Sequence, residues 1–432
     1  MQKRQVYGKY IFGMLAVNSF FVYFHRSAVA VIAQDLINEF SISAVQIGFL
    51  GSMFFYAYAL MQLPAGAFTD VLGPRKTLTL FTGITSLAAL VFSMAPNLLL
   101  ASIARFLIGV GSSVVFICAM KILARWFHSD QVSSYVGFFM LAGNLGAIGA
   151  TAPLALLTVE LGWRRTFEVL ALISGLLAVL SWVIVRDMPK QSNSKRDRGL
   201  LHKESVPPPK VRFSSSEVKG VLLNRQLLSV SAVLSVSFGT LMAFSGLWAV
   251  PYLMHTYQLS KTEASYLVSV TPIGISIGAP LFGLLSDKVI RGRKTVLMLG
   301  TFGHIVAWIP LAFRTGNLPR SGLLVIFFTL GLCYGLAPIA AAMAKELVEE
   351  RHVGLAVGYC NMWPFLSVTL YQPLIGYILD IVVPVQGHEG VFSITAYSWA
   401  FRFCLSSLML VSLLFFFLKE TFPPTQKQHA RE

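Results

Sequence analysis

A short charged segment occurs twice in this sequence, and each copy follows a long apolar stretch. The first copy runs from Gly66 to Thr77 and reads GAFTDVLGPRKT; the second begins 217 positions later, at Gly283, and reads GLLSDKVIRGRKT. A chain that repeats one charged loop between hydrophobic helices is predicted to consist of two homologous membrane halves. Many secondary transporters are built from such repeats, with the substrate site between them.

The composition supports a membrane fold. Hydrophobic residues make up 55% of the chain, charged residues 12%, and the mean hydropathy is +0.69, whereas a soluble chain carries about a quarter charged residues. We therefore expect an all-α membrane protein with twelve transmembrane helices in two pseudo-symmetric six-helix bundles. The first bundle is predicted to span residues 1–185 and the second residues 226–432, with a short cytoplasmic tail. The polar, proline-containing residues 186–225 are predicted to form a cytoplasmic linker.

The distribution of the basic residues explains the net charge of +15. Of the 34 Lys and Arg, 25 lie in the termini and the even-numbered gaps between predicted spans, and five lie in the odd-numbered gaps. This is the positive-inside pattern, which predicts that both termini and the linker are cytoplasmic. The basic side chains are then expected to contact anionic membrane lipids, and a nucleic-acid partner is not indicated.

The cysteine pattern indicates neither a metal site nor a disulfide framework. All four cysteines lie inside apolar spans, without a CxxC pair. No arrangement of nucleophile and base, no metal-ligand cluster and no phosphate-binding loop is present, so we expect a protein that is not an enzyme and carries no cofactor. The absence of an Asn-x-Ser/Thr acceptor favours a bacterial inner membrane.

The chain resembles the major facilitator superfamily over essentially its whole length. The loop between helices 2 and 3 of that family reads roughly G-x-x-x-D-x-x-G-R-[RK], which is similar to the segment of Gly66, Asp70, Gly73, Arg75 and Lys76, with Pro74 displacing the first basic position. Helix 4 resembles the R-x-x-x-G-x-G signature of the family. Its structural residues here are Arg105, Gly109 and Gly111.

The loop motif is predicted to have a gating role. At the cytoplasmic end of helix 2, Asp70 could meet the positive N-terminal end of helix 11 near Gly354, a contact that exists only when the halves close on that side. The alternative is a tight-turn and topology signal without gating. The candidate gating residues of the two copies are Asp70, Arg75, Lys76, Asp287, Arg291 and Arg293.

Helix 5 carries glycines that suit close helix packing, among them Gly143 and Gly146. It lacks the GPxxGG pattern of many drug-efflux members of the family. This departure favours uptake over efflux.

Arg26 is the leading candidate for substrate binding, since a charge within a span needs a function or a partner. Its segment, YFHRSAVAVIAQDL, resembles helix 1 of the organic-anion and sugar-phosphate permease-like branches, in which an arginine faces the central cavity and binds an anion. The alternative is a structural arginine. Helix 7 lacks the second arginine of organophosphate exchangers, which disfavours a phosphate ester. His25 is the candidate proton carrier, or alternatively a neutral hydrogen-bond partner.

Polar and aromatic residues at helical spacing, together with positions on the helices that line the cavity in this family, complete a candidate site. The predicted substrate-binding residues are Arg26, Asn18, Tyr58, Gln62, Ser112, Ser113, Phe244, Trp248, Tyr334 and Asn361. The sequence thus predicts a monomeric secondary active transporter that moves a small organic solute, with an organic anion as the leading class, by alternating access, and a co-transported proton as a candidate partner. Alternatives are amino acids, nucleosides or a siderophore-like chelate. A different class would be a membrane receptor or sensor without transport.

Overall fold

The structure is a computed structural model that describes residues 2–62, 64–188, 215–382 and 390–422. Across these ranges the regular elements are all helical. The membrane-crossing helices are α1 (Gln2–Ser27 and Val29–Phe40), α2 (Ala44–Leu60 and Pro64–Leu72), α3 (Pro74–Ser93), α4 (Leu98–Ser113 and Val115–Trp126), α5 (Ser129–Gly149), α6 (Ala152–Ile184), α7 (Arg225–Tyr257), α8 (Lys261–Val289), α9 (Arg293–Phe313), α10 (Arg320–Tyr334 and Ala337–Glu346), α11 (Val353–Ile381) and α12 (Ile394–Ser412).

The number of spans agrees with the sequence prediction. Eleven helices of the described chain are long and apolar enough to cross a membrane, and α2, which bends by 57° between its two parts, makes a twelfth. Gly162 divides α6: its φ is 76°, and beyond it the Thr166 hydroxyl donates to the Leu157 carbonyl at 3.3 Å. The chain therefore turns at Gly162, a conformation that favours glycine.

The helix contacts of the two halves match pair by pair. In the first half α1 packs on α5, α2 on α4 and α3 on α6, and in the second half α7 packs on α11, α8 on α10 and α9 on α12. The contacts between the halves have the same symmetry. Helix α2 packs on α11, and their counterparts in the other half, α8 and α5, pack on each other. The repeat in the sequence therefore corresponds to a repeat in the packing.

Two N-terminal caps repeat as well. Ser43 and Gln46 form a capping box at the start of α2, and Ser260 and Glu263 form one at the start of α8. The two boxes are 217 residues apart, as are the two charged loops. Because each box satisfies backbone N–H groups that the helix itself leaves free, it fixes where the span begins.

The predicted packing glycines lie at close helix contacts. A methyl group on Gly146 would clash with the Phe20 carbonyl of α1, and one on Gly109 would lie 2.5 Å from the Phe54 carbonyl of α2. Gly111 and Gly143 are equally crowded, against Thr85 and Tyr23. Small residues allow helices in a membrane to approach this closely.

The two ends of the helix bundle differ in how the halves meet. We call the end with Asp187 and the short helix Ser215–Leu222 the linker end, and the end with Asp35 and Asp380 the far end. The predicted linker, 186–225, falls largely on residues 189–214, which lie outside the described residues. The short helix Ser215–Leu222 follows these residues.

The far end joins the halves through polar contacts. Lys261 of α8 pairs with Asp35 of α1 at 2.8 Å, and the His255 ring of α7 lies 2.8 Å from the Gln34 amide oxygen. Asp380 of α11 accepts hydrogen bonds from the Ala44 and Val45 N–H groups of α2, both at 2.9 Å. All hydrogen bonds and ion pairs between the halves that the described residues make lie at this end. The far end is therefore closed in this structure.

Candidate functional site

Arg26 lies two residues before the break of α1 at Ala28. Its guanidinium carbon is 3.9 Å from the centre of the Tyr23 ring, a cation–π contact within the same helix. The Arg26 Nε is buried without a hydrogen-bond partner, and within the described chain no carboxylate pairs with the side chain. A half-buried cation with an unpartnered donor and no counter-ion is suited to bind an anion.

Arg26 opens onto a cavity between the two halves. The cavity comprises about 520 Å³ of space, part of it open to solvent, and is lined by α1, α5, α7 and α8. The polar groups in its wall besides Arg26 are Ser27, Asn144, Thr151, Ser245 and Thr271. The family resemblance led us to expect α4 and α10 as cavity walls, so the contributions of α5 and α8 were missed. An asparagine within the apolar α5 was the available signal for Asn144.

A π-helical segment of α7, Phe244–Trp248, shapes one wall of this cavity. Such a segment inserts an extra residue into a turn and rotates the side chains that follow. Ser245 and Gly246 line the cavity. A Cβ atom on Gly246 would meet no atom within 4 Å, so the space beside this glycine is open.

Aromatic side chains from both halves meet on the linker side of Arg26. The Tyr58 and Phe365 rings stack across the halves with their centres 4.5 Å apart, and Phe238 lies 5.2 Å from Tyr334 and 5.5 Å from Phe365. Tyr58 and Tyr334 are close enough to Arg26 to interact with its charge. The structure thus brings together three predicted site residues, Arg26, Tyr58 and Tyr334. Phe238 and Phe365 were missed, because an aromatic residue in a span is usually part of the core.

Three other predicted site residues surround a second, smaller cavity inside the first half. Asn18, His25 and Ser112 line this space of about 270 Å³. An α-helix turns about 100° per residue, so Asn18 is rotated by about 80° from Arg26, eight positions later. The spacing that appeared to put both residues on one face therefore separates them.

The second cavity contains a hydrogen-bond network. The Asn18 amide donates to the Met14 carbonyl and to the Ser181 hydroxyl, at 2.8 and 3.1 Å, and accepts from Thr82 at 3.1 Å. His25 is buried, with its Nε2 3.2 Å from the Ser174 hydroxyl and its Nδ1 without a partner. This network joins α1 to α3 and α6.

The remaining predicted binding residues lie in three different environments. Phe244 is fully buried against Trp308, Phe327 and Phe401 in the core of the second half. The fully buried Trp248 donates to the Gln372 carbonyl at 3.1 Å. The prediction that Phe244 and Trp248 face the site assumed a uniform α-helix over α7, and the π-helical segment departs from that geometry. Ser113 is buried and bonds to its own helix, Gln62 is half-buried, and Asn361 is exposed.

Arg105 is fully buried and has the contacts of a structural residue. Its Nη1 donates to the backbone carbonyl of His25 at 2.9 Å, and its guanidinium lies 5.5 Å from the centre of the Phe54 ring. It therefore ties α4 to the segment of α1 that carries Arg26.

The two charged loops lie at the linker end, each within its own half. Asp70 pairs with Lys121 of α4 at 2.7 Å and lies apart from α11, where Gly354 has open space beside it. Arg293 pairs with Asp287 at 2.5 Å and with Glu346 of α10 at 3.2 Å. In contrast, Arg75 donates to the Trp182 carbonyl of α6. Lys76 and Arg291 are exposed. The expected contact of Asp70 with α11 is not made in this far-end-closed arrangement.

Within the described chain, no group of three or more His, Cys, Asp or Glu side chains could hold a metal ion.

Known proteins resemble this chain over most of its length. A sequence model described as Major Facilitator Superfamily matches residues 15–250 and 236–432. Similar curated proteins are a probable L-galactonate transporter of Escherichia coli K12, 24% identical over 83% of this chain and 80% of the relative, and a hexuronate transporter of Bacillus subtilis 168, 22% identical over 83% and 85%.

A solved structure with the same fold is a bacterial homologue of the human lysosomal transporter Spinster in an inward-facing, unoccupied conformation. Its TM-score is 0.71 and its sequence identity 18%, over 95% of this chain and 96% of that one. The predicted fold class and the predicted resemblance to organic-anion branches are confirmed by these comparisons.

Proposed function

We propose that this chain, which belongs to the Major Facilitator Superfamily, carries a small organic anion across the membrane by binding it to Arg26 between its two halves. Membership of the family makes it an integral membrane transporter and not an enzyme. The observation that carries the choice of substrate is the Arg26 guanidinium, half-buried at the cavity between the halves, with no carboxylate of the described chain as its counter-ion. Two relatives are named for sugar acids, L-galactonate and hexuronate, and these names support an organic anion as the substrate.

Alternating access is the proposed mechanism. The halves contact each other through polar bonds at the far end, and Arg26 lies on the boundary between them. A rocking motion that breaks the far-end contacts and closes the linker end would expose Arg26 to the other side. In that second state Asp70 would exchange Lys121 for the N-terminal end of α11. We further propose uptake into a bacterial cell by a monomer whose termini are cytoplasmic, as the positive-inside pattern predicts.

The test of the substrate class is a thermal-stability screen of the purified protein against carboxylates, phosphates, amino acids, nucleosides and chelators. A ligand that binds only the folded state raises the melting temperature. We expect a saturable rise with carboxylates and its loss in Arg26→Ala, because a charge-assisted hydrogen-bond pair contributes about 10- to 100-fold in affinity. A rise that persists in Arg26→Ala, or that only neutral solutes or zwitterions produce, would contradict the proposal.

Coupling to a proton through His25 is a second part of the proposal. His25 is adjacent to Arg26 in sequence, fully buried, and has one ring nitrogen without a partner. The buried Arg105 donates to the His25 backbone carbonyl at 2.9 Å. Imidazole is the side chain that most readily exchanges a proton near neutral pH.

The coupling test compares His25→Asn with His304→Asn, an equally buried histidine of α9 that lines neither cavity. In proteoliposomes, His25→Asn should lose accumulation driven by a pH gradient and retain exchange of substrate across the membrane. His304→Asn should retain both. Accumulation that survives in His25→Asn would exclude this histidine as the proton carrier.

A further inference from the structure

We infer that the anion bound at Arg26 is a monocarboxylate with a compact, mainly apolar body, and not a polyhydroxylated sugar acid of the kind that the relatives are named for. This inference rests on the proposed function, since it describes the ligand of the same cavity. The groups in the cavity wall determine which parts of a bound acid are stabilised.

The charges of the cavity allow one anionic group. Arg26 is the cation among the lining residues, and neither a second Arg or Lys nor an Asp or Glu of the described chain lines the wall. A second carboxylate on the ligand would be buried without a partner, which is strongly unfavourable. The ligand is therefore a monoanion.

The wall that faces the remainder of the ligand is largely apolar. Side chains from α1, α5, α7 and α8 contribute to it, from both halves of the molecule. The apolar lining residues include Val31, Ala147, Met242, Val250, Val268 and Ile275. Binding of an apolar ligand to such a surface is favourable, whereas a ligand hydroxyl finds no hydrogen-bond partner there.

Few hydrogen-bonding groups are free to receive hydroxyls. The Thr151 hydroxyl donates to the Ile148 carbonyl and the Ser245 hydroxyl to the Leu241 carbonyl, so both donors are engaged within their own helices. Thr271 is buried with its hydroxyl unpartnered, and Ser27 and Asn144 are the other polar groups of the wall whose side chains make no hydrogen bond within the described chain. These three groups suit two or three polar atoms.

A six-carbon sugar acid carries five hydroxyls, more than these groups can pair. Each hydroxyl that loses water without gaining a partner weakens binding by roughly tenfold. A fatty or aromatic acid of the same size avoids this loss and also buries apolar surface. The balance therefore favours the apolar acid.

Hexanoate and gluconate form a matched pair for the test, because both are six-carbon monocarboxylates. Their affinities would be measured by calorimetry with the full chain in lipid nanodiscs, and the signal of Arg26→Ala nanodiscs would be subtracted to remove partitioning into lipid. We expect hexanoate to bind at least tenfold more tightly than gluconate. Tighter or equal binding of gluconate would overturn the inference while leaving the anion proposal intact. If neither acid binds, nor any other carboxylate, the proposed function itself fails.

Gly246→Leu tests whether this cavity is the place of binding. The added side chain has open space beside the backbone and would fill the cavity, so we expect the affinity for hexanoate to fall at least tenfold with an unchanged melting temperature of the ligand-free protein. Gly13→Leu is the control, because Gly13 is an exposed position of α1 with equally open space and lies outside the cavity. Unchanged binding in Gly246→Leu would overturn the inference, as would an equal loss in Gly13→Leu.

Discussion

At the scale of single residues, the molecule places two arginines of the membrane region in different environments. Arg105 is fully buried and bonds to a backbone carbonyl, whereas Arg26 is half-buried and lines the cavity between the halves. Replacing Arg105 should therefore lower stability. Replacing Arg26 should remove binding and leave the fold intact.

The sequence predicted Arg26, Tyr58 and Tyr334 as site residues because a charge or a tyrosine in a span is conspicuous, and the structure places the three side chains near one another. It was insufficient for Asn18 and Ser112, which face the second cavity, inside the first half. Which face of a helix a residue occupies depends on the rotation of that helix against its neighbours. Packing sets this rotation, and periodicity alone leaves it open.

The network around Asn18 gives a prediction about stability. Asn18→Ala removes three hydrogen bonds: one to the Met14 carbonyl within α1, and two that tie α1 to Ser181 of α6 and to Thr82 of α3. Hydrogen bonds in membrane proteins average about 0.6 kcal/mol each, so we expect a loss of about 1–2 kcal/mol and a lower melting temperature. Ser113→Ala is the control, since the Ser113 hydroxyl bonds only within its own helix. Equal melting temperatures for the two variants would contradict this account of the network.

At the scale of elements, hydropathy predicted the number of spans because burial in lipid requires long apolar helices. It could not predict the π-helical segment of α7 or the bend of α2, since both depend on local backbone geometry. The sequence analysis therefore placed Phe244 and Trp248 in the binding site, whereas both side chains are fully buried and line neither cavity.

A second device at this scale repeats in both halves. Asp187, just after α6, accepts a hydrogen bond from the Arg75 N–H at the start of α3 at 2.7 Å. Glu420, just after α12, accepts from the Arg293 and Lys294 N–H groups at the start of α9, at 2.6 and 3.1 Å. A carboxylate at a helix N-terminus is stabilised by the N–H groups there. Each bundle thus binds the chain leaving its last helix to the start of its third.

Glu420 gives a prediction about pH. Partial burial raises the pKa of this carboxyl, but hydrogen bonds from the Arg293, Phe422, Lys294 and Thr421 N–H groups outweigh it and hold the pKa below its usual value. A carboxyl whose folded pKa is lowered contributes stability above its unfolded pKa, of about 4.3, and loses that contribution as the pH falls through the folded pKa.

Glu420→Gln should therefore lower the melting temperature at pH 7, by an amount that corresponds to about 1 kcal/mol or less because the group is exposed. The difference from the wild type should shrink as the pH falls below about 4. The comparison is with Glu350→Gln, an exposed carboxylate of the same end. A deficit that stays constant down to low pH would show that the effect is not electrostatic.

At the scale of the whole molecule, the polar contacts between the halves lie at one end, and the charged loops lie at the other. Asp380 stabilises the far-end-closed arrangement directly, through two hydrogen bonds to α2. Asp70, by the proposed mechanism, stabilises the opposite arrangement. The duplicated sequence predicted two similar halves, but not which end would be closed, because both arrangements use the same chain.

Asp380→Asn and Asp70→Asn should consequently move one equilibrium in opposite directions. Loss of a charge-assisted bond pair changes an equilibrium constant by about tenfold or more. We expect Asp380→Asn to increase the labelling of single cysteines placed at the far end of the cavity, and Asp70→Asn to increase labelling at the linker end. Shifts of both variants in the same direction, or none in either, would contradict the gating roles.

The most direct test of the central claim is the uptake of a labelled carboxylate, chosen as the acid that raises the melting temperature most, into proteoliposomes. Wild-type protein, Arg26→Ala and Arg402→Ala would be compared, since Arg402 is also an arginine within a span but lies outside the cavity. The account predicts saturable uptake by the wild type and Arg402→Ala, and none by Arg26→Ala. Equal uptake by Arg26→Ala would contradict anion binding at this residue, and binding without uptake by the wild type would indicate a receptor.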